Sequence, residues 1–207
     1  MAMGQSWARD HAGRVVILGA IAVVAAGCGL QNGQHHQAHG GRHRHHHGTS
    51  TNVACAPSDI RVRLDTSSAG VAAGTSFVPL DFTNVSSGGC RLAGFPSVSL
   101  ASGPHGTLIG APAAPYVGAT GSSRATSLVL PSSTVAHAWV HIADVANIPS
   151  PQCHPVRAAG FLVTLPGQAT TAFVRYPVTT CAREVGGMQL LTVEPFYPGI
   201  AKPGTAQ

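Results

Sequence analysis

Glycine and proline punctuate this chain so densely, 25 and 15 of its 207 residues, that little uninterrupted length is left for a long helix. Proline removes a backbone donor and fixes φ, and glycine weakens a helix interior by about 1 kcal/mol. Between these breakers many short segments alternate apolar with polar residues, the period of a strand with one wet face. Ile60-Arg61-Val62-Arg63-Leu64 is one. Ser76 to Asn84 is another, with Phe77, Pro79, Asp81 and Thr83 on one face and Val78, Leu80, Phe82 and Asn84 on the other. Val98 to Leu100, Ser127 to Leu130, Val135 to Ile142, Phe161 to Leu165, Ala172 to Arg175 and Met188 to Glu194 bring the set to about eight. Turn signals fall between most of them: Ser86-Ser87-Gly88-Gly89, Ser102-Gly103-Pro104, Pro131-Ser132-Ser133 and Leu165-Pro166-Gly167. The expected fold is all-β, one antiparallel β-sandwich of immunoglobulin-like type over residues 53–207.

The amino terminus reads differently. Arg9 and Arg14 precede an apolar or small-residue run from Val15 to Ala26, which fits a signal-peptide core and is too short to span a bilayer. Val24-Ala25-Ala26-Gly27-Cys28 resembles a bacterial lipobox, so residues 1–27 are read as a lipoprotein signal peptide and Cys28 as the lipidated first residue of the mature chain. A plain secretory signal with a chance cysteine is the competing reading, because Ala25 stands where leucine is more usual. A diacylglyceryl thioether with an added palmitate-type chain gives stable anchoring where one acyl chain does not. The expected location is the extracytoplasmic face of the cell membrane.

Residues 28–52 turn abruptly to Gly, Gln, His and Arg and carry seven of the 12 histidines: His35, His36, His39, His43, His45, His46 and His47. No apolar residue recurs there to drive folding, and a flexible tether of this length spans about 25 to 30 Å. It reads as a solvated spacer, or alternatively as a collector of Zn, Cu or Ni, since a flexible chain can wrap several imidazoles around one ion. Protonation of these histidines near pH 6.5 would also draw the tether toward an anionic leaflet.

Five cysteines less Cys28 leave four, an even number in an exported chain. Four cysteines allow three pairings. Sequence order favours Cys55 with Cys90 and Cys153 with Cys181, each closing a loop of about 30 to 35 residues worth roughly 3.5 to 4 kcal/mol in the loop-entropy model. Zinc ligation is the alternative, but no pair has the short spacing that zinc sites prefer.

Leu80-Asp81-Phe82-Thr83-Asn84, followed by Cys90-Arg91-Leu92-Ala93-Gly94-Phe95-Pro96-Ser97-Val98, resembles the actinobacterial exported lipoprotein family classed as domain of unknown function 4232, over roughly Ala54 to Glu194. The resemblance implies membrane linkage, a Cys55–Cys90 bridge, a later pair at Cys153 and Cys181, and an aromatic in the strand holding Trp139. It implies no activity. Each motif residue has a structural role to fill: Asn84 to start a turn, Gly94 to adopt a backbone angle others avoid, Pro96 to fix entry to the next strand.

Composition limits the function classes. Only 9% of residues are charged, against about 25% in an ordinary soluble domain, which excludes coiled coils and charged disordered tails. Of 12 basic and 7 acidic residues, removing Arg9, Arg14, Asp10, Arg42 and Arg44 leaves the domain with 8 and 6, a net +2 spread singly, so no nucleic-acid partner is expected. The carboxylates Asp59, Asp65, Asp81, Asp144, Glu184 and Glu194 show no pairing for acid–base work, and hydrolase and phosphate-loop signatures are missing. His137, Trp139 and His141 alternate on one strand and share a face, expected to be exposed or half-buried. His105 and His154 fall in loops. The expectation is a non-enzymatic binding or interaction module without a cofactor, its partner an unknown envelope protein or small ligand, with transition-metal capture by the tether as the alternative. A hydrolase would require a histidine and a carboxylate to meet in a pocket beside a nucleophile.

Overall fold

The computed structural model describes residues 52–118 and 124–206. The candidate signal peptide, Cys28 and the seven tether histidines lie outside them. Among the described residues the elements are all β apart from single helical turns. The strands are β1 (Ile60–Leu64), β2 (Gly70–Ala72), β3 (Thr75–Asn84), β4 (Cys90–Gly94), β5 (Ser97–Ala101), β6 (Leu108–Ile109) and β7 (Ala114–Pro115). They continue with β8 (Thr126–Leu130), β9 (Val135–Ala143), β10 (Pro155–Thr164), β11 (Thr171–Cys181), β12 (Leu191–Val193) and β13 (Tyr197–Pro198), with α1 (Ser150–Cys153) before β10. No helix of the described residues is long and apolar enough to cross a membrane.

The larger sheet runs β1-β3-β9-β12-β7, with β13 also on β9 and β2 also on β3; the smaller runs β11-β10-β5-β6, and β4 pairs β8 as a ribbon. Their facing sides close one core. Val78, Leu80 and Phe82 of β3 and Val140 and Ile142 of β9 meet Val98 and Leu100 of β5, Phe161 and Val163 of β10 and Val174 of β11. The alternation read in Ser76 to Asn84 is the one observed, and the fold is the expected all-β sandwich. It differs in two details. The strands are more numerous than eight, because pairing recruits two- and three-residue pieces that carry no period of their own. One pair, β7 with β12, is parallel rather than antiparallel.

Asn84 shows how the motif works. Fully buried, its Oδ1 accepts from the Ser86 amide at 2.9 Å and hydroxyl at 2.7 Å, while Nδ2 donates to the carbonyls of Gly88 at 2.8 Å and Leu130 at 2.9 Å. One amide thus ties the turn after β3 to the end of β8. Asn84→Ala is expected to cost about 2–4 kcal/mol in urea unfolding, since it orphans buried groups. Asn84→Asp should cost as much, because a carboxylate cannot donate to two carbonyls. A loss under about 1 kcal/mol in both variants would sink this account. Gly94 has φ of +85°, which favours glycine. Gly160 answers to contact instead: it sits where β10 shifts register against β11, and a Cβ there would be driven into the Val174 carbonyl oxygen.

The two disulfides join Cys55 to Cys90 and Cys153 to Cys181, the pairing that sequence order favours. The first secures the segment before β1 to β4. The second belongs to a separate small cluster with Val145 and Val185.

Candidate functional site

Residues of β3 and β9 that alternate with the core positions build the opposite face of the larger sheet. Register sets Phe77 opposite His141, Pro79 opposite Trp139 and Asp81 opposite His137. From the other flank Thr192 lies opposite His141, and Tyr197 opposite His137. Side chains so opposed share a face with Cβ atoms about 4.5–5.5 Å apart.

His137, Trp139 and His141 do share this face, but it is not a wet one: they are 7%, 1% and 5% exposed. Distant segments cover them. The chain after β13 returns along the face, where the Gly199 carbonyl accepts from His137 Nδ1 at 2.8 Å and the Ala201 carbonyl from Ser68 Oγ at 3.0 Å. A carbonyl can only accept, so Nδ1 of His137 carries the proton. Gly204 and Ala206 reach the pocket walled by Trp139, Phe77 and Val71. Tyr116, just past β7, lies against His141 with ring centroids 4.1 Å apart, and Phe77 meets the same imidazole edge-on at 4.9 Å.

Glu194 joins this group from a distance in sequence. Its amide donates to the Trp139 carbonyl at 2.8 Å, extending the β12–β9 ladder one residue past Val193 and turning its side chain to the face of Thr192. Glu194 Oε1 lies 2.7 Å from His141 Nε2, with the two side chains 1% and 5% exposed. With Glu194 ionised, Nε2 donates and the carboxylate accepts. Burial, then the Glu194 charge, then a hydrogen bond to Glu194 hold the Tyr197 phenol above its ordinary value. His141, Glu194 and Tyr197 therefore form one connected polar group inside an aromatic surround.

His141 also lines a cleft of about 470 Å³ with Thr75, Tyr116, Gln189 and Thr192. That lies within the roughly 300–1,000 Å³ of small-ligand sites. The ring's second nitrogen, Nδ1, has no hydrogen-bond partner among the described residues.

The other candidates stay apart from this group. Asp144 is exposed and its Oδ1 accepts the Ala146 amide at 2.9 Å, closing its own turn. His105 and His154 are exposed. Among the described residues no three His, Cys, Asp or Glu side chains gather to hold a metal. The sequence reading found no carboxylate paired for chemistry, and so missed Glu194, which stands 53 residues from its histidine. The available signal was an acid embedded in the apolar run Leu190-Leu191-Thr192-Val193-Glu194-Pro195-Phe196.

Asp81 is held above the ordinary carboxylate value, first by burial, then by the charge of Asp65, with His137 opposing. Its Oδ1 is buried without a hydrogen-bond partner. A carboxyl raised in the folded state favours folding when protonated, and that contribution is lost as pH rises through its folded value. Asp81→Asn is therefore expected to raise stability at pH 7 by about 0.5–1 kcal/mol. The gain should shrink as pH falls toward 3, below the ordinary aspartate value of about 3.9, since Asp81 is held above that value and takes up its proton there. Thermal melts of both proteins at the two pH values check this, and equal gains at both would overturn it.

These features define a class: an all-β, disulfide-stapled sandwich whose outer sheet face is roofed by its own carboxyl-terminal segment and bears a buried His–Glu pair beside a cleft. The chain belongs to the family described as domain of unknown function (DUF4232), whose profile matches residues 55–197, well over half of its length. The match opens on Cys55 and closes on Tyr197, so it contains both disulfides and the His141–Glu194–Tyr197 group. Neither a curated protein nor a solved structure matches the chain.

Proposed function

We propose that this chain is a lipid-anchored protein of the cell envelope whose sandwich domain, residues 53–207, holds a small ligand without turnover in the cleft beside His141. The observation that carries this reading is the buried His141–Glu194 pair, 2.7 Å apart, of which His141 lines a cleft of about 470 Å³. A buried ion pair contributes little net stability against apolar side chains of equal volume, so its presence at a cleft is better explained by what it presents there. A His and a carboxylate do meet, the geometry a hydrolase needs. A triad also requires the nucleophile to be hydrogen-bonded to the imidazole. Thr75 and Thr192 line the same cleft, and among the described residues neither hydroxyl is bonded to His141. That supports binding rather than turnover.

The anchor rests on Val24 to Cys28 and the tether on residues 28–52. Mass spectrometry of the mature amino terminus is expected to find a lipidated Cys28, and an unmodified, uncleaved Cys28 would overturn the membrane placement. For the cleft, a fragment screen read by amide shifts in isotope-labelled full-length protein is expected to place its hits at Tyr116, His141 and Thr192. Hits confined to other surfaces would remove the binding reading.

A second reading rests on the seven histidines between His35 and His47. Tether-bound Zn, Cu or Ni should give calorimetric heat at micromolar metal that disappears when residues 29–51 are deleted. Heat that survives the deletion would reject it.

A further inference from the structure

We propose that the cleft beside His141 takes a neutral sugar ring. The inference rests on that cleft being the binding site and names the ligand class from the chemistry of its walls.

Charge is the first discriminator. Among the described residues lining the cleft there is no Lys, Arg, Asp or Glu. A lone imidazolium there would mark an anion site. The Glu194 carboxylate 2.7 Å from Nε2 cancels that charge, so the His–Glu pair presents a neutral edge. A charged ligand would leave water and find no opposite charge to meet, which is costly.

The available polar groups point the same way. The hydroxyls of Thr75 and Thr192, the Gln189 amide and Nδ1 of His141 make no side-chain hydrogen bonds within the described protein. Hydroxyl and amide groups each donate and accept. Their complement is a ligand whose own groups do both, which is the property of a ring of hydroxyls. In the same lining, Pro115, Tyr116 and Val117 supply apolar surface. A sugar ring offers just this division, hydroxyls at its edge and C–H bonds on its face. Sites of this kind join an apolar wall to a few polar groups that fix orientation.

The probes are methyl glycosides of glucose, mannose, galactose and arabinose, with glucuronic acid and glucosamine as rings of the same size carrying a charge. Binding to the purified full-length chain is read by amide shifts at Tyr116, His141 and Thr192. At least one neutral ring is expected to saturate these shifts, with the charged rings at least tenfold weaker. Gln189 is exposed and Thr192→Val is close to isosteric, so Gln189→Ala and Thr192→Val should fold. Each is expected to weaken binding roughly 3- to 10-fold, the loss of one hydrogen bond. Dextran and mannan separate the sources: tighter binding of polymer assigns a glycan, equal binding a free sugar, and either supports the proposal. Charged rings binding this cleft as well as neutral ones would overturn the sugar-class assignment and leave the cleft as a binding site. No ring shifting the cleft while other fragments do has the same effect, whereas a cleft that no fragment occupies removes both readings.

Discussion

His141→Leu is expected to cost about 3–5 kcal/mol, because it takes the imidazole away from the Glu194 carboxylate, 1% exposed. The reverse change should be milder. Glu194→Leu leaves no buried carboxylate behind, so the loss reduces to an unpaired buried N–H of about 1–3 kcal/mol. The combined His141→Leu/Glu194→Leu variant should lie closer to wild type than His141→Leu alone, since apolar replacement of a buried ion pair is often neutral. Tyr197 loses an acceptor in that variant, but it is only partly buried and water can replace it. Urea unfolding of the four proteins completes the double-mutant cycle. Strictly additive costs would show that the 2.7 Å contact carries no coupling, and the binding proposal would lose its main support.

Removing both disulfides should have the largest effect of all. The bridges span 35 and 28 residues, for which the loop-entropy model gives roughly 3.5 to 4 kcal/mol each. About 7 kcal/mol is comparable to the whole stability of a typical domain, about 5–15 kcal/mol. A chain with all four cysteines changed to alanine is therefore expected to be largely unfolded at 37 °C, by near-ultraviolet circular dichroism. Each single-bridge variant should remain folded with a lower urea midpoint. The Cys55–Cys90 variant keeps the backbone bonds of Cys55 N to the Arg91 carbonyl at 3.0 Å and of Arg91 N to the Val53 carbonyl at 2.8 Å. Those bonds hold the native geometry but place no constraint on the unfolded chain, where the bridge acts. A quadruple variant that melts within a few degrees of wild type would refute the entropic account.

Much of the architecture was legible because strand periodicity is a local signal. In β3 the alternation of Val78, Leu80 and Phe82 against Phe77, Pro79 and Asp81 follows from the backbone, whatever packs on it. β4 was read only as a motif, since Cys90 and Gly94 fill its ends and five residues give little period. β2, β6, β7 and β13 exist because neighbours offer ladders to pair with. The site was half legible for the same reason. His137, Trp139 and His141 lie on one strand and their shared face could be read directly. Glu194, Tyr116 and Tyr197 arrive from other strands, and no spacing rule links them to β9.

The sequence by itself determined that this is an all-β chain with one buried face per strand, an even set of four domain cysteines, a turn at Asn84 and a histidine-rich segment before the domain. Those properties depend on residues close along the chain, where backbone geometry does the selecting. Tertiary structure alone decided that at β9 the second face of the larger sheet, with His137, Trp139 and His141, is buried as well. The carboxyl-terminal segment and Tyr116 roof it over, and Glu194 becomes an interior charge paired with His141. The reason is physical: register across the sheet, not position along the chain, sets which side chains leave water together.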